Sequence, residues 1–90
     1  MYSVYLSSFA EKFIHKQERL FQVRINNRLK KLSLEPYPKD AKFIDRRNED
    51  KIFRIRIGKY RVLYNVDETE KIVAIVDIDK RSRVYQRRKL

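Results

Sequence analysis

From Phe53 to Ile57, and again from Tyr60 to Tyr64, apolar and polar residues alternate for most of their length, and only Gly58-Lys59 separates the two runs. Alternation is the period of a strand, whose side chains leave on opposite faces, so the stretch predicts a β-hairpin. Gly58 supplies the positive φ needed at the first central position of a type II′ turn. With Ile57 paired to Tyr60, Arg56 lies opposite Arg61, Ile55 opposite Val62, Arg54 opposite Leu63 and Phe53 opposite Tyr64. Phe53, Ile55, Val62 and Tyr64 then share an apolar face, and Arg54, Arg56 and Arg61 share the other. Like charges directly opposite each other destabilise a sheet, by an amount comparable to the roughly 0.2–1 kcal/mol that an attractive pair contributes. A hairpin that keeps such a pair is suited to presenting it to an anion.

The remaining pattern frames this hairpin. Tyr2, Val4 and Leu6 predict a short first strand. Ser7 or Ser8 offers a hydroxyl N-cap, with Glu11 three residues after Ser8 as in a capping box. The period then becomes helical as far as about Leu34, with Phe9, Phe13 and Ile14 on one stripe and Phe21, Ile25, Leu29 and Leu32 on another. The phase shifts near Lys16-Gln17, which predicts two helices. Pro36 and Pro38 end the helical part. Ala41 to Ile44 reads as a short extended piece, and the charged run Asp45 to Asp50 as a connection. After an acidic turn, Asp67 to Glu70, the segment Ile72 to Ile78 is apolar on both faces and predicts a central strand. Asp79 to Leu90 is polar and basic, and its end reads as a flexible tail. The expectation is a single α+β domain over residues 1–90, with two N-terminal helices packed on one face of a twisted, mainly antiparallel four-stranded sheet and the arginines on the open face.

Composition narrows the chemistry. Lys and Arg number 23 against 12 Asp and Glu, a formal net charge of +11, which favours polyanionic partners with salt-dependent affinity. There is no cysteine and one histidine, so neither a disulfide framework nor a zinc site of recognisable spacing is available. No metal or other cofactor is expected. His15 reads as a solvent-facing or partly packed residue. A single glycine rules out a phosphate-binding glycine loop. No basic leader precedes an apolar stretch, and no apolar run approaches the ~18 residues of a spanning helix; a soluble, cytoplasmic protein without a membrane partner is expected.

The candidate chemistry joins the hairpin to the terminal segment Lys80-Arg81-Ser82-Arg83-Val84-Tyr85. The last strand leads back beside the hairpin, which brings Arg81 and Tyr85 within reach of Arg54, Arg56 and Arg61. Guanidinium groups fork onto phosphate oxygens and remain charged at physiological pH, and cations beside a phenol favour its ionised, proton-accepting form. Solvated surface arginines and an aromatic anchor at the core's edge are the plainer reading of the same residues. Asp77 complicates the site: in one register it faces Arg61 and neutralises it, and in the adjacent register it faces the helices.

From Ile52 to Tyr85, the Phe-Arg-Ile-Arg-Ile run before a tight turn, Tyr60-Arg61-Val62-Leu63-Tyr64, the apolar strand and the terminal Lys-Arg-Ser-Arg-Val-Tyr together resemble the RelE/ParE toxin superfamily. Earlier residues match in element order and length. The resemblance implies a toxin of a type II toxin–antitoxin system, held by a cognate antitoxin. It further implies a metal-independent endoribonuclease that cleaves messenger RNA in the ribosomal A site by attack of a ribose 2′-hydroxyl. On that resemblance Arg61 stabilises the transition state, Arg81 protonates the leaving oxygen and Tyr85 is the base. Arg54 and Arg56 take positions often held by lysines, and Lys80 and Arg83 join them in binding RNA phosphates. The Arg81–Tyr85 spacing is shorter than in some relatives, which leaves Arg83 able to share or assume the role of Arg81. The loop before the hairpin lacks a glycine that many relatives carry near Ala41 to Ile44. The ParE branch, directed at DNA gyrase, generally lacks the tyrosine and arginine set. A noncatalytic RNA- or ribosome-binding module is the alternative from another class.

Overall fold

The computed structural model describes residues Met1–Leu90. Its elements run β1 (Ser3–Leu6), α1 (Ser8–His15), α2 (Arg19–Leu34), β2 (Lys42–Arg47), β3 (Asp50–Ile57), β4 (Tyr60–Asp67), β5 (Ile72–Lys80) and α3 (Arg81–Arg88). The five strands form one sheet in the order β1-β5-β4-β3-β2, antiparallel except for β1, which pairs parallel to β5. The α+β class and the helix-packed sheet are as the sequence predicts, and β5 is an interior strand, between β1 and β4. The strand count is five rather than four because β1 and β2 both join the sheet at its edges.

Two hairpins build most of this sheet. In the second, β3–β4, the register is the predicted one, Ile57 with Tyr60 through Phe53 with Tyr64. Gly58 has φ +60°. A Cβ at Gly58 would meet nothing closer than the Arg24 guanidinium at 3.6 Å, so it is backbone conformation, not space, that calls for glycine. The first hairpin replaces the expected charged connection. Arg47 pairs with Asp50 around Asn48 and Glu49, which both have positive φ, the signature of a type I′ turn.

The principal core lies between the sheet and the first two helices. Ile25, Leu29 and Leu32 of α2 meet Ile55, Val62, Tyr64, Val73, Ile75 and Ile78. Ser7 caps α1, its Oγ accepting from the Ala10 amide at 3.1 Å, so the cap sits one residue before the Ser8–Glu11 capping box. Ala10 and Ile14 are the buried residues of α1. Phe9, expected on that apolar stripe, is 48% exposed; Arg87 and Arg88 cover its ring at 5.2 and 4.8 Å.

The opposite face is not fully open. A smaller cluster of Ile52, Leu63 and Val84, flanked by Val76 and Tyr85, packs α3 onto it. The expected tail is therefore a helix, and Arg87 and Arg88 are its anchors.

Candidate functional site

The hairpin places its arginines as their alternation requires, in three different environments. Arg54 is 7% exposed, and its Nε has no hydrogen-bond partner. Arg61 is half-buried directly opposite Arg56, which is exposed. Desolvation, with the charges of Arg56 and Arg54 next, pulls the Arg61 guanidinium below its ordinary pKa. Tyr85 and Arg81 also act on Arg61, in opposite directions, so both reach the hairpin's electrostatic neighbourhood. The register adds a cation that the sequence did not reveal: Lys42 of β2 pairs with Arg54.

Helix α3 decides which terminal residues join this cluster. Arg81 and Tyr85 are four residues apart and share a helical face, with the Arg81 guanidinium 5.2 Å from the centre of the Tyr85 ring. Together with Lys59, Lys80 and Ser82 they line an open cavity of about 620 Å³. Lys59 follows Gly58 at the hairpin tip; its place in the turn was legible, but its approach to α3 was not, because α3 itself was unforeseen. Arg83 points elsewhere. It lines a separate cavity between α1 and α3, with its Nη1 4.0 Å from Asp79. Lys80 lines both cavities. The cluster thus contains Arg54, Arg56, Arg61, Arg81 and Tyr85, with Lys80 at its margin and Arg83 outside it.

Asp77 takes neither of the two anticipated positions. A bulge in the β4–β5 ladder shifts the register between Leu63–Asp77 and Tyr64–Ile75. Ile75 and Ile78 both face the principal core, three residues apart, so the side-chain parity inverts between them. Val76 and Asp77 consequently lie on the α3 side, Asp77 opposite Leu63. Fully buried, it accepts from Arg87 Nε and Nη2, both at 2.8 Å, and from Arg88 Nε at 3.0 Å. The bidentate pair ties up its charge and leaves the arginines of the hairpin without a carboxylate in salt-bridge contact.

Concentrated positive charge, a buried guanidinium without a partner and a phenol beside a cation make this surface chemically fit to bind and polarise a phosphodiester. Comparison with known proteins gives the surface a context. The family model described as the ParE toxin of the type II toxin–antitoxin system, parDE, matches residues 6–85. The chain belongs to this toxin family. The RelE/ParE resemblance of the hairpin and terminal segment is thereby established for most of the chain. The putative toxin RelE1 of Methanocaldococcus jannaschii is 38% identical over 56 residues, 61% of this chain, and the match spans only 62% of that protein's length. The structure is similar to the archaeal RelE–RelB complex from Pyrococcus horikoshii, with a TM-score of 0.79 and 25% identity over 91% of this chain and 97% of that one. It is also similar to the toxin–antitoxin complex RelBE2 from Mycobacterium tuberculosis, with a TM-score of 0.72 and 30% identity over 89% and 98% of the two chains. No helix is long and apolar enough to cross a membrane.

Proposed function

We propose that this toxin is a ribosome-dependent endoribonuclease of messenger RNA. The observation that carries the reading is the convergence of Arg54, Arg56 and Arg61 with the stacked pair Arg81–Tyr85. Arg54, held by burial, and Arg56, at the rim, take the non-bridging oxygens of one phosphate. The Tyr85 oxygen, passing its own proton to solvent, accepts the proton of the neighbouring ribose 2′-hydroxyl. The 2′-oxygen attacks phosphorus, and Arg61 stabilises the additional negative charge of the pentacoordinate transition state. The bond from phosphorus to the 5′-oxygen then breaks, leaving a 2′,3′-cyclic phosphate and an alkoxide. An alkoxide is a far stronger base than a neutral guanidine. Transfer of a proton from Arg81 to the leaving oxygen is therefore downhill. Solvent returns a proton to Arg81.

The site is open on the side of Arg56 and Arg81, which suits a substrate positioned by a larger particle. The net charge of +11 suits a particle made of RNA. Two similar structures are complexes of a toxin with its antitoxin, and on that likeness a cognate antitoxin with acidic character covers the basic face of this protein in the cytoplasm. Purified protein added to messenger-programmed ribosomes is expected to cut within the A-site codon; intact messenger in the presence of folded protein would contradict the proposal.

The matching family model is named for ParE, which favours gyrase as a second target. Inhibition of gyrase supercoiling with messenger left whole identifies that case, and ribosome binding with neither effect identifies a noncatalytic module.

A further inference from the structure

A second cationic cleft lies around the far side of α3. Its cavity, about 400 Å³, is lined by residues of α1 and α3 and the C-terminal end of β5. Lys12 enters from α1 and Lys16 from its C-cap, where the backbone is still helical, so that the two, four residues apart, share one face; Lys80 and Arg83 enter from the other side. The half-buried rings of Phe13 and Tyr60, packed edge to face at 5.2 Å, supply apolar surface beside them. None of the three lysines is ion-paired. Arg83 is 65% exposed, at the limit of salt-bridge reach from Asp79. Asp79 is itself engaged by Arg87 at 3.3 Å. Besides Arg87, which is bound to Asp77 and Asp79, four cations therefore converge on a cavity whose only lining carboxylate is already shared.

We infer that this cleft is a second RNA-backbone site, continuous with the candidate phosphate site and distinct from it. The inference rests on the nuclease reading for the direction of the strand. Its basis is Lys80, which lines both cavities, so that a chain clamped beside Arg81 and Tyr85 leads around the start of α3 into the cleft. A succession of phosphates satisfies cations on both cavity walls, and bases can lie against the apolar rings. An acidic peptide would satisfy the cations, but nothing in the cleft would lead it onward to a phosphodiester site. The RNA is either the messenger flanking the cleaved phosphate or ribosomal RNA beside it.

The test is a Lys12→Gln/Lys16→Gln variant, both positions being exposed, compared with the parent for binding to two probes. One is a fully 2′-O-methylated single-stranded RNA, which cannot be cut by 2′-hydroxyl attack; the other is the intact ribosome. Loss of two single-strand phosphate contacts should reduce the slope of log affinity against log salt by about 1.4. A Lys12→Arg/Lys16→Arg variant should restore it. A reduced slope on both probes assigns the cleft to the messenger, and a reduction on ribosomes alone assigns it to ribosomal RNA. Unchanged affinity and slope on both probes overturn the inference, including the case in which the glutamine variant loses only the binding of an acidic antitoxin peptide. RNA binding by the parent without messenger cleavage, accompanied by the reduced slope in the variant, removes the nuclease reading and leaves the cleft standing.

Discussion

Arg61 carries a conflict that its chemistry explains. Partial burial and the opposing Arg56 disfavour its charge, yet its neighbours provide no carboxylate in salt-bridge contact. Replacing it by Ala removes the repulsion, so the Arg61→Ala protein should be as stable as the parent or more stable by up to about 1 kcal/mol, measured by denaturant unfolding. The same change should lower the cleavage rate roughly 10²–10³-fold, the effect of removing one group that stabilises transition-state charge. A large loss of stability would show that the arginine serves the fold. Tyr85→Phe keeps the ring under Arg81 and removes the hydroxyl. Its single-turnover rate should fall about 10²–10⁴-fold, as for loss of a general base, with ribosome binding unchanged; an unaltered rate would exclude Tyr85 as the base. At this scale the sequence was informative: alternation and one glycine gave the exact partners of Arg54, Arg56 and Arg61. It did not reveal that Arg54 is buried, because burial depends on what α3 and β2 cover.

The elements that escaped the sequence are those held by tertiary contacts. Helix α3 has only Val84 and Tyr85 as apolar residues among arginines and polar neighbours, too few to give a helical period. It is fixed instead by the Asp77 ion pairs and by Val84 against Ile52 and Leu63. The orientation of Asp77 was equally hidden, since a strand apolar on both faces gives no sign of a bulge. Asp77→Asn should destabilise the protein by roughly 1–3 kcal/mol; the partial exposure of Arg87 and Arg88 keeps it below the cost of a fully buried pair. Hydrogen exchange should show faster exchange in α3 than in β3 and β4, and uniform protection would contradict the clamp. Another tertiary bond joins β4 to the chain after α2. The Tyr64 hydroxyl donates to the Pro36 carbonyl at 2.7 Å, and burial raises its pKa well above the ordinary value. Because the folded-state value is raised, its contribution is intact below the unfolded value of about 10 and is lost as pH rises beyond it. Melting temperatures of the parent and of Tyr64→Phe should therefore converge above that pH, and a constant gap would contradict the linkage.

On the scale of the whole molecule, two layers do different work. Helices α1 and α2 bury one face of the sheet, while α3 covers part of the other and separates a cavity beside Arg81 and Tyr85 from a neighbouring cleft against α1. The α+β class was readable from the order of periods along the chain, whereas the sheet's edge strands depended on long-range pairing. The central claim is that the shared arginine surface performs transesterification. Its most direct test is chemical analysis of messenger ends after incubation with programmed ribosomes and either the parent or the folded Arg61→Ala protein. The account predicts a 2′,3′-cyclic phosphate and a 5′-hydroxyl with the parent, and their near-complete loss with the variant. Undiminished yields of those ends from Arg61→Ala, or a parent that leaves the messenger intact, would contradict it.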